Sequence, residues 1–395
     1  MKCLILLLVV LCCSCKDNKD FRESIDANIS VEIKPEDQKL VMSSLFKKDY
    51  DVIVPQGIIL ADVSKVLMVD SFYVIKGKSV EGEVHLFDNK GNYLETILKR
   101  GGGPDEAANV WSVKVHDNEV LFLVNAGMEI MRYSLKERRM VERFRLPDHV
   151  VSIADFEVLS DNKLILYKNL TNRLKEEEYK LYLYDGIQGK ITNCWLPLNS
   201  ESTEYISFSQ TDCLYQRNEK IYFYEVFQKG VYELSENSLN GYISFRDNKY
   251  MIPDNELYDD YTFESFINYC MGCPYIWAHR GLYEGPHYIL SNYMYKNKYY
   301  WNVIDKQQKL SNSYRMVADD VFLEDVIYTD DYPFHVNIQN SVRYFTLSYT
   351  QLVEFLEKKT TESLSDYLKK HALLKSIYEN SNEDCNDLII KLYEK

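Results

Sequence analysis

The sequence predicts an all-β fold, a six-bladed β-propeller with a short helical insertion near the C-terminus. Three observations predict it: apolar residues alternate with polar ones around tight turns, this unit recurs at regular intervals, and 33 of the 395 residues are tyrosine. Aromatic side chains pack well on the pleated, half-buried faces of strands. A period near 45–50 residues, with four short strands in each unit, is typical of a propeller blade.

The clearest unit is the stretch EVHLFDNKGNYLETILK. Val84 and Leu86 alternate before the turn 88–91, and Tyr93 and Ile97 alternate after it. A period of two around a D-x-x-G turn predicts an antiparallel hairpin, and the glycine of the turn can adopt the positive φ that such turns need. We therefore predict that strands 65–69, 72–75, 84–87 and 93–98 form the first blade.

Turns of the same kind recur along the chain. Starting from Asp88, they follow at spacings of 46, 51, 50 and 70 residues, near Ser134, Asp185, Ser235 and Asp305. Five hairpins and one closing unit predict six blades, with a large sandwich or a β-solenoid as the alternative. Insertions at 246–287 and 351–380 interrupt the repeat. Because an open ring would expose strand edges, we expect residues 50–54 to pair with 388–393 in the last blade.

The N-terminus predicts export. A basic start is followed by the apolar run Leu4–Leu11 and then by Ser14 and Cys15. The run is too short for a permanent membrane span, so residues 1–14 are interpreted as a lipoprotein signal peptide. Cys15 would carry the lipid, residues 15–25 would form a tether, and residues 26–395 would form the propeller. Lipidation at Cys13 and an ordinary secretory signal are the alternatives.

Two further motifs are FDNKGNYL followed by the hinge GGGPDE, and DCND followed by the apolar strand 388–393. Both resemble motifs of the six-bladed β-propeller lipoproteins of Bacteroidetes. The resemblance implies an outer membrane lipoprotein on the periplasmic or cell-surface side, and it implies no activity. Gly102, Asp105 and Ala107 depart from the residues usual in the family's hinge, which weakens the case for a shared ligand site there.

The charge balance excludes some partners. The formal net charge is −14 at pH 7, which disfavours nucleic acids and anionic membrane patches. We expect a monomer that contacts the membrane through its lipid anchor.

The first insertion contains Cys270, Cys273, His279 and His287. Three interpretations remain open, and free thiols or other pairings with Cys194, Cys213 or Cys385 are a further alternative. An exported protein meets an oxidising compartment, so we predict a local disulfide between the two cysteines. A zinc site would use suitable ligand types, but the spacing of the histidines is unusual. A redox dithiol would need a thioredoxin-like βαβ unit, and no such unit is visible.

The same insertion is rich in aromatic residues. We predict Tyr261, Tyr275 and Trp277 as ligand-contacting residues, because rigid amphipathic rings make good contact surfaces. The alternative is that these aromatic side chains cover the hydrophobic core of the propeller. Glu106 in the glycine hinge is a fourth candidate contact. Residues 263–270 are expected to form a short helix.

The second insertion has apolar residues at helical spacing, which predicts an amphipathic pair of helices. Ser363 and Asp366 suggest a capping box at one helix start. His371 lies on the apolar face, where a core histidine is expected rather than a ligand.

No catalytic motif occurs, and no catalytic residue, metal ligand or cofactor is predicted. We expect a non-catalytic binding or scaffold protein for an envelope, glycan or peptide partner; a structural part of an outer-membrane complex is another interpretation. The enzymatic alternative is a metal-dependent hydrolase or lyase of the lactonase-like propeller type. It would need side chains that converge on the central channel, and the candidates are Glu106, Asp155, Asn292 and Asp320.

Overall fold

The structure, a computed structural model, describes residues 26–395 except for 61–62, 78–81, 151, 170–177, 198–211, 246–248, 254–255, 257–261, 325, 330–335, 340–341 and 382–384. Cys15 and Tyr261 therefore lie outside the described residues. The described chain is an all-β propeller with a few short helices, as the sequence predicts.

Three strands precede the first blade and join later ones: β1 (Ala27–Val31), β2 (Lys39–Val41) and β3 (Phe46–Ile53). Blade 1 contains β4 (Val63–Val69), β5 (Phe72–Gly77), β6 (Val84–Asp88), β7 (Tyr93–Arg100) and the short β8 (Glu106–Ala107). Blade 2 contains β9 (Val110–His116), β10 (Glu119–Val124), β11 (Glu129–Ser134) and β12 (Arg139–Arg145). Blade 3 contains β13 (Ile153–Ser160), β14 (Lys163–Lys168), β15 (Tyr179–Asp185) and β16 (Lys190–Pro197).

The second half of the ring follows the same plan. Blade 4 contains β17 (Leu214–Arg217), β18 (Lys220–Phe223), β19 (Gly230–Leu234) and β20 (Leu239–Phe245). Blade 5 contains β21 (Ile276–Glu284), β22 (Tyr288–Tyr295), β23 (Lys298–Asp305) and β24 (Leu310–Tyr314). Blade 6 contains β25 (Met316–Asp319) and β26 (Val326–Tyr328), and blade 7 contains β27 (Val336–Gln339), β28 (Val342–Leu347) and β29 (Leu388–Glu394). The predicted strands of blade 1 are confirmed.

The prediction of six blades is wrong, because the described strands form seven sheets. The additional one, blade 6, is a small sheet of β2, β25 and β26. Lys39–Val41 lies parallel to Met316–Asp319, so residues far apart in the sequence build this blade. Its antiparallel strands β25 and β26 lack the tight turn on which the repeat count depends. That absence is why the sequence pattern did not show it.

The predicted ring closure is confirmed. Strand β29 lies between β28 and β3 in blade 7, with Ile390 opposite Val52 and Leu392 opposite Tyr50. The N-terminal segment also adds β1 in parallel to the outer strand β20 of blade 4. Residues 27–53 therefore pair with three blades in succession.

The two motifs that carry the family resemblance meet at this closure. Gln56 N–H donates to the carbonyl oxygen of Gly91 at 2.8 Å, which ties the closing segment to the D-x-x-G turn of blade 1. From the C-terminal motif, the side-chain amide of Asn386 donates to the carbonyl oxygens of Pro55 and Ile58 at 2.8 and 2.6 Å. Residues 55–58 thus form hydrogen bonds with both motifs.

The described chain contains four α-helices: α1 (Phe263–Gly272), α2 (Tyr349–Glu357), α3 (Thr361–Lys370) and α4 (Ala372–Asn380). Helix α1 confirms the predicted short helix. The second insertion holds three helices rather than a pair, because the backbone of His371 leaves helical geometry between α3 and α4. The capping box at Ser363 is also wrong, since Thr360 caps α3 and accepts a hydrogen bond from the Ser363 N–H.

Helices α2 to α4 pack against blade 7 and against the residues that follow β25 in blade 6. Leu352, Leu356 and Leu374 are fully buried in the core cluster that they share with strands of those blades. His371 is a core residue, as expected: it is 5% exposed, and its Nδ1 lies 2.8 Å from the hydroxyl of Tyr50. Among the described residues, no helix is long and apolar enough to cross a membrane.

Candidate functional site

The first strands of the blades approach one another around the axis, with β27 beside β4, β9 beside β13, and β13 beside β17. Lys114 on β9 lies 3.5 Å from a carboxylate oxygen of Asp155 and 3.2 Å from one of Glu157, both on β13. Its ammonium group also donates to the carbonyl oxygen of Leu214 in blade 4 at 2.7 Å. Burial opposes the charge on Lys114, but the two carboxylates outweigh it and raise the pKa of its ammonium group.

A second ion pair crosses from blade 1 to blade 4. The ammonium group of Lys65 lies 2.6 Å from a carboxylate oxygen of Asp212. Burial raises the pKa of Asp212, but Lys65 and then Lys114 outweigh it, so that the pKa is lowered overall. Two lysines and three carboxylates from blades 1 to 4 thus form ion pairs between blades around the axis.

The four residues proposed for a metal in the channel do not converge. Asp155 is fully buried and accepts hydrogen bonds from Ser112 Oγ at 2.7 Å and from Leu214 N–H at 3.0 Å. Asn292 lies on the second strand of blade 5, and Asp320 follows β25, where it accepts a hydrogen bond from Ser43 N–H. Glu106 lies in β8 at the outer edge of blade 1. This arrangement gives the hydrolase alternative no support.

The side chain of Glu106 stabilises the conformation of the glycine hinge. The Gly103 N–H donates to the Glu106 carboxylate at 2.9 Å, and a Cβ on Gly101 would lie 1.9 Å from the same carboxylate oxygen. Arg143 of blade 2 donates to the carbonyl oxygens of Gly103, Pro104 and Glu106 at 3.0, 3.2 and 3.2 Å. The glycines therefore make room for a carboxylate of the hinge itself.

Beside the hinge lies a groove of about 390 Å³ between blades 1 and 2, which we call the rim groove. It is lined by Thr96, Ile97, Lys99, Gly103, Pro104, Asp105, Glu106, Tyr133, Arg138, Arg139 and Met140. Its polar wall is ordered by Glu95, which accepts a hydrogen bond from Tyr133 at 2.8 Å and pairs with Arg138 at 2.5 Å. The groove thus combines cationic, acidic, aromatic and aliphatic side chains.

Sequence analysis placed Glu106 at a candidate site and missed the basic residues of the rim groove. A signal was present: the segment 132–145 carries six Arg and Lys residues against two Glu residues in a chain whose net charge is −14. Arg138 and Arg139 belong to that segment.

The first insertion forms a small core of its own. Ile252, Phe266 and Cys270 are buried and pack against a partly buried ring of Phe227, Tyr269, Tyr275 and Trp277. Tyr275 donates to Glu256 at 3.0 Å. Because Tyr275 and Trp277 are only partly buried, they contribute to this core and still present surface to solvent.

Cys270 and Cys273 lie at the end of α1 as separate thiols. Burial raises the pKa of Cys270 to about 12 and also raises that of Cys273, so neither thiol is activated as a nucleophile. The disulfide stays a prediction.

His279 is not available to a metal shared with these thiols. Its two ring nitrogens lie 2.7 Å from the hydroxyl of Tyr224 and 2.8 Å from that of Ser291. It is 1% exposed, and burial lowers its pKa to about 3. His279 belongs to β21, so this part of the predicted insertion is the first strand of blade 5.

A family model described as a domain of unknown function (DUF4934) matches residues 56–390. The chain belongs to this family. The match contains strands β4 to β28 and the helical insertion, whereas β1, β2 and β3 lie outside it. No curated protein matches the chain.

The solved structures that align with this chain include one that shares its fold over nearly the whole length. A Bacteroides fragilis protein named as a candidate exported protein aligns with a TM-score of 0.70 at 15% identity, covering 93% of this chain and 99% of that one. The WD40 repeats of RRP9 align at 0.44 and 6% identity, covering 87% and 98%. The extracellular domain of a one-component system candidate from B. thetaiotaomicron aligns at 0.38 and 11%, covering 67% and 29%.

Proposed function

We propose that this DUF4934 protein is an exported, lipid-anchored propeller that binds or scaffolds an envelope, glycan or peptide partner without catalysis. The observation that carries the proposal is the pairing of the acidic groups around the axis. Asp155, Glu157 and Asp212 each lie close to a lysine from another blade.

A metal-assisted hydrolase needs carboxylates that share an open coordination position. The carboxylate oxygens of Asp155 instead accept hydrogen bonds from a hydroxyl and a backbone N–H and pair with an ammonium group. Removing charges from such a network costs stability, because it leaves a buried partner uncompensated. The ion pairs therefore favour a structural role for the axis, with partner binding at the outer surfaces of the propeller.

The rim groove, with Glu106 in its wall, is the contact surface that we propose. Lys99, Arg138 and Arg139 add cationic donors to this wall, and a partner with hydroxyl, carboxyl or amide groups would find complementary groups there. Tyr275 and Trp277 form a second contact surface at the first insertion.

Printed glycan and peptide arrays, probed with the purified protein, test the function. We expect at least one class of reproducible hits and at least a tenfold loss of affinity in Arg139→Glu. The matched control is Lys375→Glu, an exposed charge reversal on α4, which should bind as the wild type does. An absence of hits on both arrays would contradict the binding role, whereas hits retained by Arg139→Glu would contradict only the rim groove.

The anchor is tested separately. Cys15→Ser should move the protein from the detergent phase to the aqueous phase in a partitioning experiment, while Cys13→Ser should leave it in the detergent phase. Retention of Cys15→Ser in the detergent phase would show that Cys15 carries no lipid.

A further inference from the structure

Three metal-ligating side chains meet where blades 2 and 3 adjoin. His116 is the last residue of β9, Asp117 opens the turn that follows it, and Asp161 opens the corresponding turn after β13. One ligand atom from each side chain lies within 4.8 Å of the other two. Among the described residues, this is the group of three that could hold a metal ion.

The distances between these atoms fit one coordination sphere. His116 Nε2 lies 3.4 Å from an oxygen of Asp161 and 3.9 Å from an oxygen of Asp117. Ligands about 2.0–2.2 Å from a tetrahedral zinc ion are about 3.3–3.6 Å apart, so small rotations of two aspartate side chains would complete the set.

We propose that His116, Asp117 and Asp161 bind a divalent transition-metal ion of the zinc type. One imidazole and two carboxylates are ligands that this class accepts, and water would take the fourth position. An all-oxygen shell of six to eight ligands, as calcium prefers, is not present.

The two aspartate side chains are largely exposed to solvent, so without a metal ion the three ligands would contribute little to stability. The side chain of His116 is 24% exposed, and those of Asp117 and Asp161 are 80% and 78% exposed. Exposed ion pairs contribute little by themselves. A bound ion would instead link the turns of two blades and stabilise the ring in proportion to its affinity.

Isothermal titration of the metal-stripped full chain with zinc chloride tests the proposal. We expect one zinc ion per chain and a higher Tm with zinc than without it. His116→Gln and Asp161→Asn should each weaken zinc binding at least about tenfold and lose the Tm increase. Because the side chain of Asp161 is exposed and that of His116 is only partly buried, both variants should fold, which a wild-type circular dichroism spectrum would check.

Two controls separate this site from other zinc ligands. His287→Gln removes an exposed histidine outside the cluster and should bind zinc normally. Replacing Cys270 and Cys273 together with serine should also leave zinc binding unchanged. The proposal is overturned if the wild type binds no zinc below about 1 mM, or if His116→Gln binds as tightly as the wild type.

Discussion

Gly91→Ala tests how the first blade is fixed to the closing strand. Gly91 has a φ of +88°, and a Cβ there would lie 2.7 Å from the carbonyl oxygen of Val54 and 2.9 Å from Cγ2 of Ile53. The left-handed backbone costs a non-glycine residue about 1–2 kcal/mol. Displacing a backbone carbonyl and a buried side chain adds about 1–3 kcal/mol. We therefore expect Gly91→Ala to lower the free energy of unfolding by about 2–5 kcal/mol.

Gly189→Ala is the matched control. Gly189 also lies in a hairpin turn with a positive φ of +63°, but a Cβ there would meet nothing within 4 Å. It should show only the backbone cost, about 1–2 kcal/mol. Urea unfolding followed by tryptophan fluorescence measures both variants. Equal losses in the two variants would refute the steric contact between the blade 1 turn and the closing strand.

Three further predictions follow from the same structure. Truncation after Asn380 removes β29 from the middle of blade 7 and should yield aggregated or degraded protein; a soluble, cooperatively unfolding product at wild-type yield would contradict the closure. Mass analysis of unreduced peptides from the exported protein should find Cys270 joined to Cys273, and unlinked thiols would contradict the disulfide. The pKa of His279 is about 3 in the folded protein and about 6.5 in the unfolded chain. Between these pH values only the unfolded chain protonates this histidine. The free energy of unfolding therefore falls as the pH drops below about 6.5. At pH 5 the protonation of His279 in the unfolded chain lowers the free energy of unfolding by about 2 kcal/mol. In urea unfolding, the decrease between pH 7 and pH 5 should therefore be about 2 kcal/mol smaller for His279→Gln than for the wild type. Equal decreases in the two proteins would contradict the prediction.

Local patterns predicted the elements that depend on local physics. The alternation around Asp88 and Gly91 predicted the strands of blade 1, and the apolar residues near Leu388 predicted the closing strand. Each depends on a period of two and on a turn residue, which neighbours in the sequence determine. The third helix of the second insertion was missed because its boundary is a single non-helical residue, His371, without a glycine or proline to mark it.

Blade 6 and the rim groove could not be predicted from the same patterns. The strand Lys39–Val41 has three residues and pairs with a partner about 277 residues away, as the hydrogen bond from Ser43 N–H to Asp320 illustrates. The rim groove combines residues from two blades. Neither arrangement has a period or a motif, because blade 6 depends on the pairing of an N-terminal strand and the rim groove depends on the packing of two adjacent blades.

The histidines show why the chemistry of a residue type had to wait for the tertiary structure. In the sequence, His279 follows a pair of cysteines and suggests a metal ligand, whereas His116 stands near no second histidine or cysteine. Folding reverses the two interpretations. His279 is enclosed among aromatic rings, and both of its nitrogens lie beside hydroxyl groups, so burial keeps it neutral. His116 is brought to a carboxylate 45 residues away on the neighbouring blade, at a distance suited to a shared ion. In a propeller, equivalent turns of adjacent blades lie side by side, so residues about one blade length apart are the natural places to look for such sites.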